Sequence, residues 1–183
     1  MRILASIAAA ALLAAPATAA LAPGAKAPDF ATRGAKAGTV LNVKLSTLLK
    51  NGPVVLYFFP AAYTGGCNAE AQAFAAAIPQ FDAAGATVLG MSANTVEVLK
   101  DFSAEKCAGK FTVASAGPKV VAGYDVALGQ EIDTPRGKVK ATNRTSYVIA
   151  RNGRIASVHA NLSPVDHVKQ TLAEVQALKA RGA

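Results

Sequence analysis

The amino-acid sequence predicts one α/β domain, a three-layer sandwich built around a central mixed β-sheet. Three observations carry that expectation. The 183 residues are 52% hydrophobic and 16% charged, enough apolar material for one compact core and too much for a disordered chain. Short apolar runs alternate with segments of helical spacing, the pattern of parallel strands joined by helices. Near the end, two such runs flank Asn152-Gly153, a pair that favours a tight antiparallel hairpin. Beyond the first twenty or so residues no apolar run reaches the roughly eighteen needed to cross a bilayer, and no repeat is present. Polytopic membrane, collagen-like and solenoid architectures are therefore excluded. The net charge is +8, but the 19 Lys and Arg are scattered, Trp is absent and aromatics are 6%, which argues against a nucleic-acid partner.

Residues 1–19 hold one charge, Arg2, then an apolar stretch over 3–15, Pro16 and the small triplet Ala17-Thr18-Ala19. That order is the pattern of a cleaved secretory signal peptide, too short to serve comfortably as a membrane anchor. The expected domain is residues 20–183, exported to a periplasmic location. Residues 21–38, rich in Ala, Pro and Gly, read as an extended lead-in, 40–43 as a short strand and 46–49 as a helical turn. Residues 54–59 are continuously apolar and stopped by Pro60, which suits a strand buried on both faces. Phe74, Ala77, Ile78 and Phe81 share one face of a helix over 68–84. A second buried strand is expected at 87–91. Asn94, with Glu97 in capping-box position, should start a helix running to about Cys107, before Gly109. Residues 111–114 resemble a third strand and 118–123 a short helix. The hairpin occupies 146–150 and 154–159, and Ser163-Pro164 begin a last helix with Val165, Val168, Leu172 and Val175 on its apolar side. For this order of elements the thioredoxin-like arrangement is the economical solution.

Chemistry concentrates in residues 59–67, between a buried strand and a helix. Cys67 falls at or within the first helical turn, at the carboxyl end of a sheet strand, where open α/β folds bind ligands. Free amides and the helix dipole there favour thiolate, the nucleophilic form. Gly65 and Gly66 let the backbone turn tightly and bring amides close to whatever binds the sulfur. Export permits disulfides, so the plain reading of the two cysteines, Cys67 and Cys107, is a structural bridge. A dithiol Cys-x-x-Cys is absent: Glu70 stands three residues after Cys67.

Pro60, Thr64 and Cys67 together form Pro-x-x-x-Thr-x-x-Cys, and with Glu70, residues 88–92 and residues 143–149 the chain resembles the peroxiredoxins of the AhpC/TSA family, in particular their bacterioferritin-comigratory or peroxiredoxin Q branch. The resemblance covers roughly residues 24–172. It implies a thiol-dependent peroxidase in which Cys67 is the peroxidatic cysteine, Thr64 orients peroxide and thiolate, Pro60 shields the pocket and Arg144 activates sulfur and peroxide. Gly66 and Glu70 then belong to the substrate site. Attack on an O–O bond builds charge on the departing oxygen, so fixed donors act most strongly in the transition state. The product is a sulfenic acid that a second thiol can convert to a disulfide. Many members of the branch place that thiol five residues on, where Gln72 stands here; others place it on a later helix, which points to Cys107. The resemblance further implies hydroperoxide substrates, a thioredoxin-like or other thiol reductant, a monomer or weak homodimer, and no cofactor, whether metal, haem or flavin.

Each residue also has a plainer reading. Arg144 could be a solvated residue at a strand start, and Glu70 a first-turn carboxylate stabilised by the dipole. Cys107 projects away from Val98, Leu99 and Phe102 in helical phase and is expected to be accessible. His159 and His167 lie apart in sequence, without partners at ligand spacing. Arg136, Lys138 and Lys140 alternate as one face of an exposed strand or hairpin would. Two rival functions stay open at this stage: a thiol-disulfide exchange protein on the same fold, and a binding or sensor domain without turnover.

Overall fold

A computed structural model describes residues 20–182; the expected signal segment, residues 1–19, lies outside them. The described chain opens with an antiparallel pair, β1 (Ala31–Lys36) and β2 (Thr39–Lys44), then one helical turn, α1 (Leu45–Leu48). The expected lead-in therefore contains a strand. Its Ala, Arg and Gly carry little strand preference of their own, and it is fixed by pairing on both edges.

The parallel centre follows: β3 (Val54–Phe58), α2 (Gly65–Ala83), β4 (Thr87–Ser92), α3 (Val96–Glu105) and β5 (Thr112–Ser115). After α4 (Pro118–Gly123) come a separate hairpin, β6 (Ala127–Thr134) and β7 (Gly137–Thr142), then β8 (Thr145–Ile149), β9 (Ile155–Ala160) and α5 (His167–Ala180). The main sheet has the order β2-β1-β5-β4-β3-β8-β9, parallel across β3, β4 and β5 and antiparallel at both sides. This is the thioredoxin-like α/β sandwich with a mixed sheet.

All five residues of β3 are buried, because each face of the strand meets a different layer. Val55, Tyr57 and Phe59 pack with Phe74, Phe81, Phe102 and Val175, under α2, α3 and α5. Val54, Leu56 and Phe58 pack on the other face with Leu45, Leu49, Tyr124 and Tyr147. Tyr57 stacks on Phe74 with centroids 4.2 Å apart. Neighbouring Gly90 makes room for it: a Cβ there would lie 2.8 Å from the Tyr57 ring.

Three expectations need correction. α2 begins at Gly65 rather than Asn68, which puts Cys67 firmly inside its first turn. Asn94 does not cap α3; Thr95 holds the N-cap position, and the Asn94 side chain turns inward, its Oδ1 accepting from the Ala62 amide (2.9 Å) and the Ser92 hydroxyl (2.8 Å). A buried polar group takes the partners that burial leaves it. α5 begins at His167, after Asp166 in left-handed conformation, and Val165 stays 65% exposed instead of joining the apolar face. Lys138 and Lys140 do lie on the exposed face of a hairpin, with Arg136 at its turn.

Candidate active site

The loop between β3 and α2 is set by Pro60, buried at the strand end, and by Tyr63 at φ +66°, a left-handed conformation that reverses the chain. Thr64 is the N-cap of α2, but its hydroxyl donates to the Ala61 carbonyl (3.0 Å) rather than capping the helix. Cys67 is the third residue of α2 and 2% exposed.

Arg144 comes from the two-residue connection between β7 and β8 and is buried, 5% exposed. The reading of it as a solvated strand-start residue is overturned. Its Nη2 donates to Cys67 Sγ (3.5 Å), its Nη1 is ion-paired with Glu70 Oε2, and its Nε donates to the Leu162 carbonyl (2.8 Å). Gly66 completes the fit: a Cβ on it would approach Arg144 Nη2 to 3.4 Å. Glu70, one turn after Cys67, is likewise buried. Burial pushes its carboxyl up to about 7, opposed by the Arg144 charge and hydrogen bond, and its Oε1 has no hydrogen-bond partner. Cys67, Arg144, Glu70 and Gly66 are thus brought together, with Thr64 and Pro60 on the adjoining loop.

Cys107 departs from expectation. It is fully buried, because α3 ends at Glu105 and the helical phase read from Val98, Leu99 and Phe102 stops applying. Ala108 (φ +48°) and Gly109 (φ +66°) fold the chain back, the Gly109 amide reaching the Ser103 carbonyl at 3.0 Å. The thiol is turned into the same apolar cluster that holds Cys67, and burial pushes it up to about 12. Both cysteines are free thiols, so the plain reading as a structural disulfide does not hold.

One residue at the site was not singled out as functional by sequence reasoning. His167, fully buried, lies 2.8 Å from Ser146 Oγ through Nδ1, 2.9 Å from the Asn161 carbonyl through Nε2 and 3.9 Å from Glu70 Oε1. Burial pulls its imidazole down to about 4. The His159 ring stands edge-on to it at 4.5 Å. No local spacing signals this meeting, which depends on how β9 and α5 pack. Among the described residues no group of three or more His, Cys, Asp or Glu is arranged to hold a metal.

A groove of about 890 Å³ lies elsewhere, between the start of α3, α4 and the β6–β7 hairpin, and Cys67 does not line it. Of the three cations that line it, Arg136 pairs with Asp101 (3.2 Å) and Lys138 with Asp133 (3.8 Å).

A thioredoxin-like sheet that presents a helix-start cysteine to a buried, carboxylate-anchored guanidinium has the layout of a thiol-dependent peroxidase of the peroxiredoxin class. The comparisons with known proteins carry the assignment further. The chain belongs to the AhpC/TSA family, whose family model matches residues 23–158. It is 36% identical over 132 residues to the chloroplastic peroxiredoxin Q of Sedum lineare, spanning 71% of this chain and 67% of that one. The crystal structure of peroxidoxin BcpB from Mycobacterium tuberculosis is similar at a TM-score of 0.74 and 30% identity, over 85% of this chain and 97% of that one. The bacterioferritin comigratory protein of Xanthomonas campestris, studied as a trapped intermediate/ligand complex for its alkyl peroxide reduction activity, is similar at a TM-score of 0.66 and 25% identity, over 80% and 91% of the two chains. Within the family this is the peroxiredoxin Q, or bacterioferritin-comigratory, branch, and thiol-dependent peroxide reduction is its activity.

Proposed function

We propose that Cys67 is the peroxidatic residue, that Arg144 activates it, and that Cys107 resolves the product. The observation that carries the reading is the Arg144 Nη2 to Cys67 Sγ contact at 3.5 Å, made by a guanidinium held on two other sides. The Cys67 thiolate attacks one peroxide oxygen and the O–O bond breaks. The departing oxygen leaves as water or alcohol once it gains a proton, and Cys67 becomes a sulfenic acid. Arg144 and the first-turn amides of α2 stabilise the charge that develops on oxygen. The Cys107 thiol then attacks the sulfenic sulfur, expels water and forms a disulfide, which a thioredoxin-like or other dithiol returns to two thiols. Hydrogen peroxide and small organic hydroperoxides are the substrates. Leu162 and Val165, 59% and 65% exposed, flank Pro164, which stands 3.9 Å from where a Gly66 Cβ would be, and this apolar rim suits an alkyl group. A monomer or weak homodimer is the assembly that the family resemblance implies for it.

Cys67→Ser should abolish peroxide-dependent thiol oxidation. Arg144→Ala should slow it by about a power of ten or more, since a charge-assisted hydrogen bond contributes about 1.5–3 kcal/mol. Full turnover by the Cys67→Ser protein would refute the assignment. The burial of Cys107 favours a second reading, a one-cysteine enzyme served directly by an external thiol. Mass analysis after peroxide separates the two: a Cys67–Cys107 bridge within one chain supports resolution by Cys107, whereas sulfenic or sulfinic Cys67 beside a free Cys107 supports the second. Export and periplasmic residence follow from the Arg2, apolar-stretch and Ala17-Thr18-Ala19 pattern. The expected mature N-terminus is Ala20 or a near neighbour, and sequencing of exported native protein that found Met1 intact would exclude cleavage.

A further inference from the structure

We propose that His167 is a positioning residue for Arg144, an inference that rests on the reading of Arg144 as the activator of Cys67. The ring joins the two backbone segments that hold the guanidinium. Asn161 donates its amide to the Arg144 carbonyl (3.1 Å), and its own carbonyl is bound by His167 Nε2 (2.9 Å). The next residue, Leu162, supplies the carbonyl that takes Arg144 Nε (2.8 Å). On the other side His167 Nδ1 meets Ser146 Oγ (2.8 Å), two residues beyond Arg144 in β8. A carbonyl only accepts, so the ring proton sits on Nε2; Nδ1 is then bare and accepts the Ser146 hydroxyl. The tautomer is fixed by its neighbours. Both ring nitrogens are satisfied, and the imidazole itself is fully buried.

The ring also closes the back of the Arg144–Glu70 pair. Glu70 from α2 turns its unpartnered Oε1 toward Nδ1 at 3.9 Å, beyond hydrogen-bond reach. The titratable and charged groups facing His167 are Glu70, Arg144 and His159, the last on β9 with its ring edge-on. A neutral imidazole in this place leaves the carboxylate to Arg144; it neither competes for Oε2 nor presents a charge to the guanidinium. The peptide at residues 161–162 is the part of the arrangement that the ring holds, and Arg144 Nε follows it.

The test uses the full mature chain and two replacements of opposite kind. His167→Gln places an amide NH₂ where Nε2–H stood and keeps the bond to Asn161. His167→Asn keeps an acceptor for Ser146 and loses that bond. Two rates are read at neutral pH: reaction of Cys67 with hydrogen peroxide, and alkylation of Cys67 by iodoacetamide across a pH series, beside thermal melting. Misplacing a reacting group by about 1 Å costs up to ~100-fold. His167→Asn should slow both reactions roughly 10- to 100-fold, whereas His167→Gln should stay within a few-fold of the native rates. Equal rates in both variants and the native protein, with only the melting temperature lowered, would show a structural imidazole and overturn the proposal; so would equal losses in both. If native Cys67 alkylates readily but consumes no peroxide, the peroxidase reading fails, while the alkylation series still decides the role of His167.

Discussion

Glu70 and His167, facing each other in the dry interior beside Arg144, bind protons in opposite senses on folding. The Glu70 carboxyl rises from 4.5 to about 7, so the folded chain holds a proton that the unfolded chain releases, and the stability this confers is present below about 4.5 and lost as pH rises through 7. The imidazole falls from 6.5 to about 4, so its contribution is present above 6.5 and lost as pH falls through 4. Between about 4.5 and 6.5 the two slopes cancel, and the pair adds no pH dependence. Removing one partner exposes the other. Relative to the native protein, Glu70→Gln should gain stability with rising pH across that window, and His167→Gln should gain it with falling pH, each by up to about 1.4 kcal/mol per pH unit. Urea midpoints measured across the pH range check both; parallel curves for all three proteins would exclude the compensation. Legibility at this scale divides by distance along the chain. Pro60, Thr64, Cys67 and Glu70 lie within eleven positions of one another, on a loop and a helical turn whose geometry local spacing dictates. Arg144 came only through resemblance, and His167 not at all, because Arg144 reaches the cysteine through the pairing of β8 with β3, and His167 reaches Ser146 and Asn161 through the packing of α5 on β8 and β9, which no local pattern encodes.

At the scale of elements, the hairpin β6–β7 clamps the two segments that carry the cysteines. Arg136 at its turn pairs with Asp101 (3.2 Å) and Glu105 (3.6 Å) on α3, and its guanidinium lies 4.9 Å from the centre of the Tyr63 ring on the cysteine loop. Tyr63 in turn packs edge-on to Phe102 of α3 at 5.4 Å. The proposed resolution by Cys107 requires both segments to loosen, since Cys107 is buried behind a left-handed turn. Half-exposed ion pairs of this kind contribute at most about 1 kcal/mol. Arg136→Ala should therefore speed closure of the Cys67–Cys107 bridge, by no more than about fivefold. Stopped-flow mixing of the reduced variant with one equivalent of peroxide checks this; an unchanged or slower closure would show that the hairpin does not restrain the step. The strands and helices of the parallel centre were legible because burial and alternation repeat along them. The end of α3 was not: periodicity predicts where a helical residue would point, but Ala108 and Gly109 take the chain out of the helix where Cys107 sits.

At the scale of the whole molecule, the proposed resolution by Cys107 divides the fold between a part that must hold its place and a part that must open. The sheet, α5 and the Arg144 anchor belong to the first, the start of α2 and the end of α3 to the second. Cys107→Ser should leave the first reaction with peroxide at the native rate, because the bonds that hold Arg144 against Cys67 and Glu70 do not involve the Cys107 side chain. It should then stall after one equivalent unless a small thiol is supplied. Hydrogen exchange after peroxide should rise in residues 60–68 and 103–110 of the native chain but not of Cys107→Ser; equal exchange in both would place resolution outside this chain. The architecture was legible from the order of elements alone, whereas β1 was hidden by a composition that only its two neighbours make into a strand.

The way the first described residues are tied down bears on how this enzyme can be handled. Leu21 donates its amide to the Tyr147 hydroxyl, Gly24 and Ala27 donate to the Ile155 and Gly153 carbonyls, and Ala20, Leu21 and Ala25 pack on the core opposite the one that holds Cys67. A graft joined at Ala20, the proposed mature N-terminus, whether an affinity handle, a fluorophore or a bead surface, leaves from the side of the sheet opposite the cluster that holds Cys67. Immobilised that way, the peroxide-facing side points outward, and a reductant in solution meets it unobstructed.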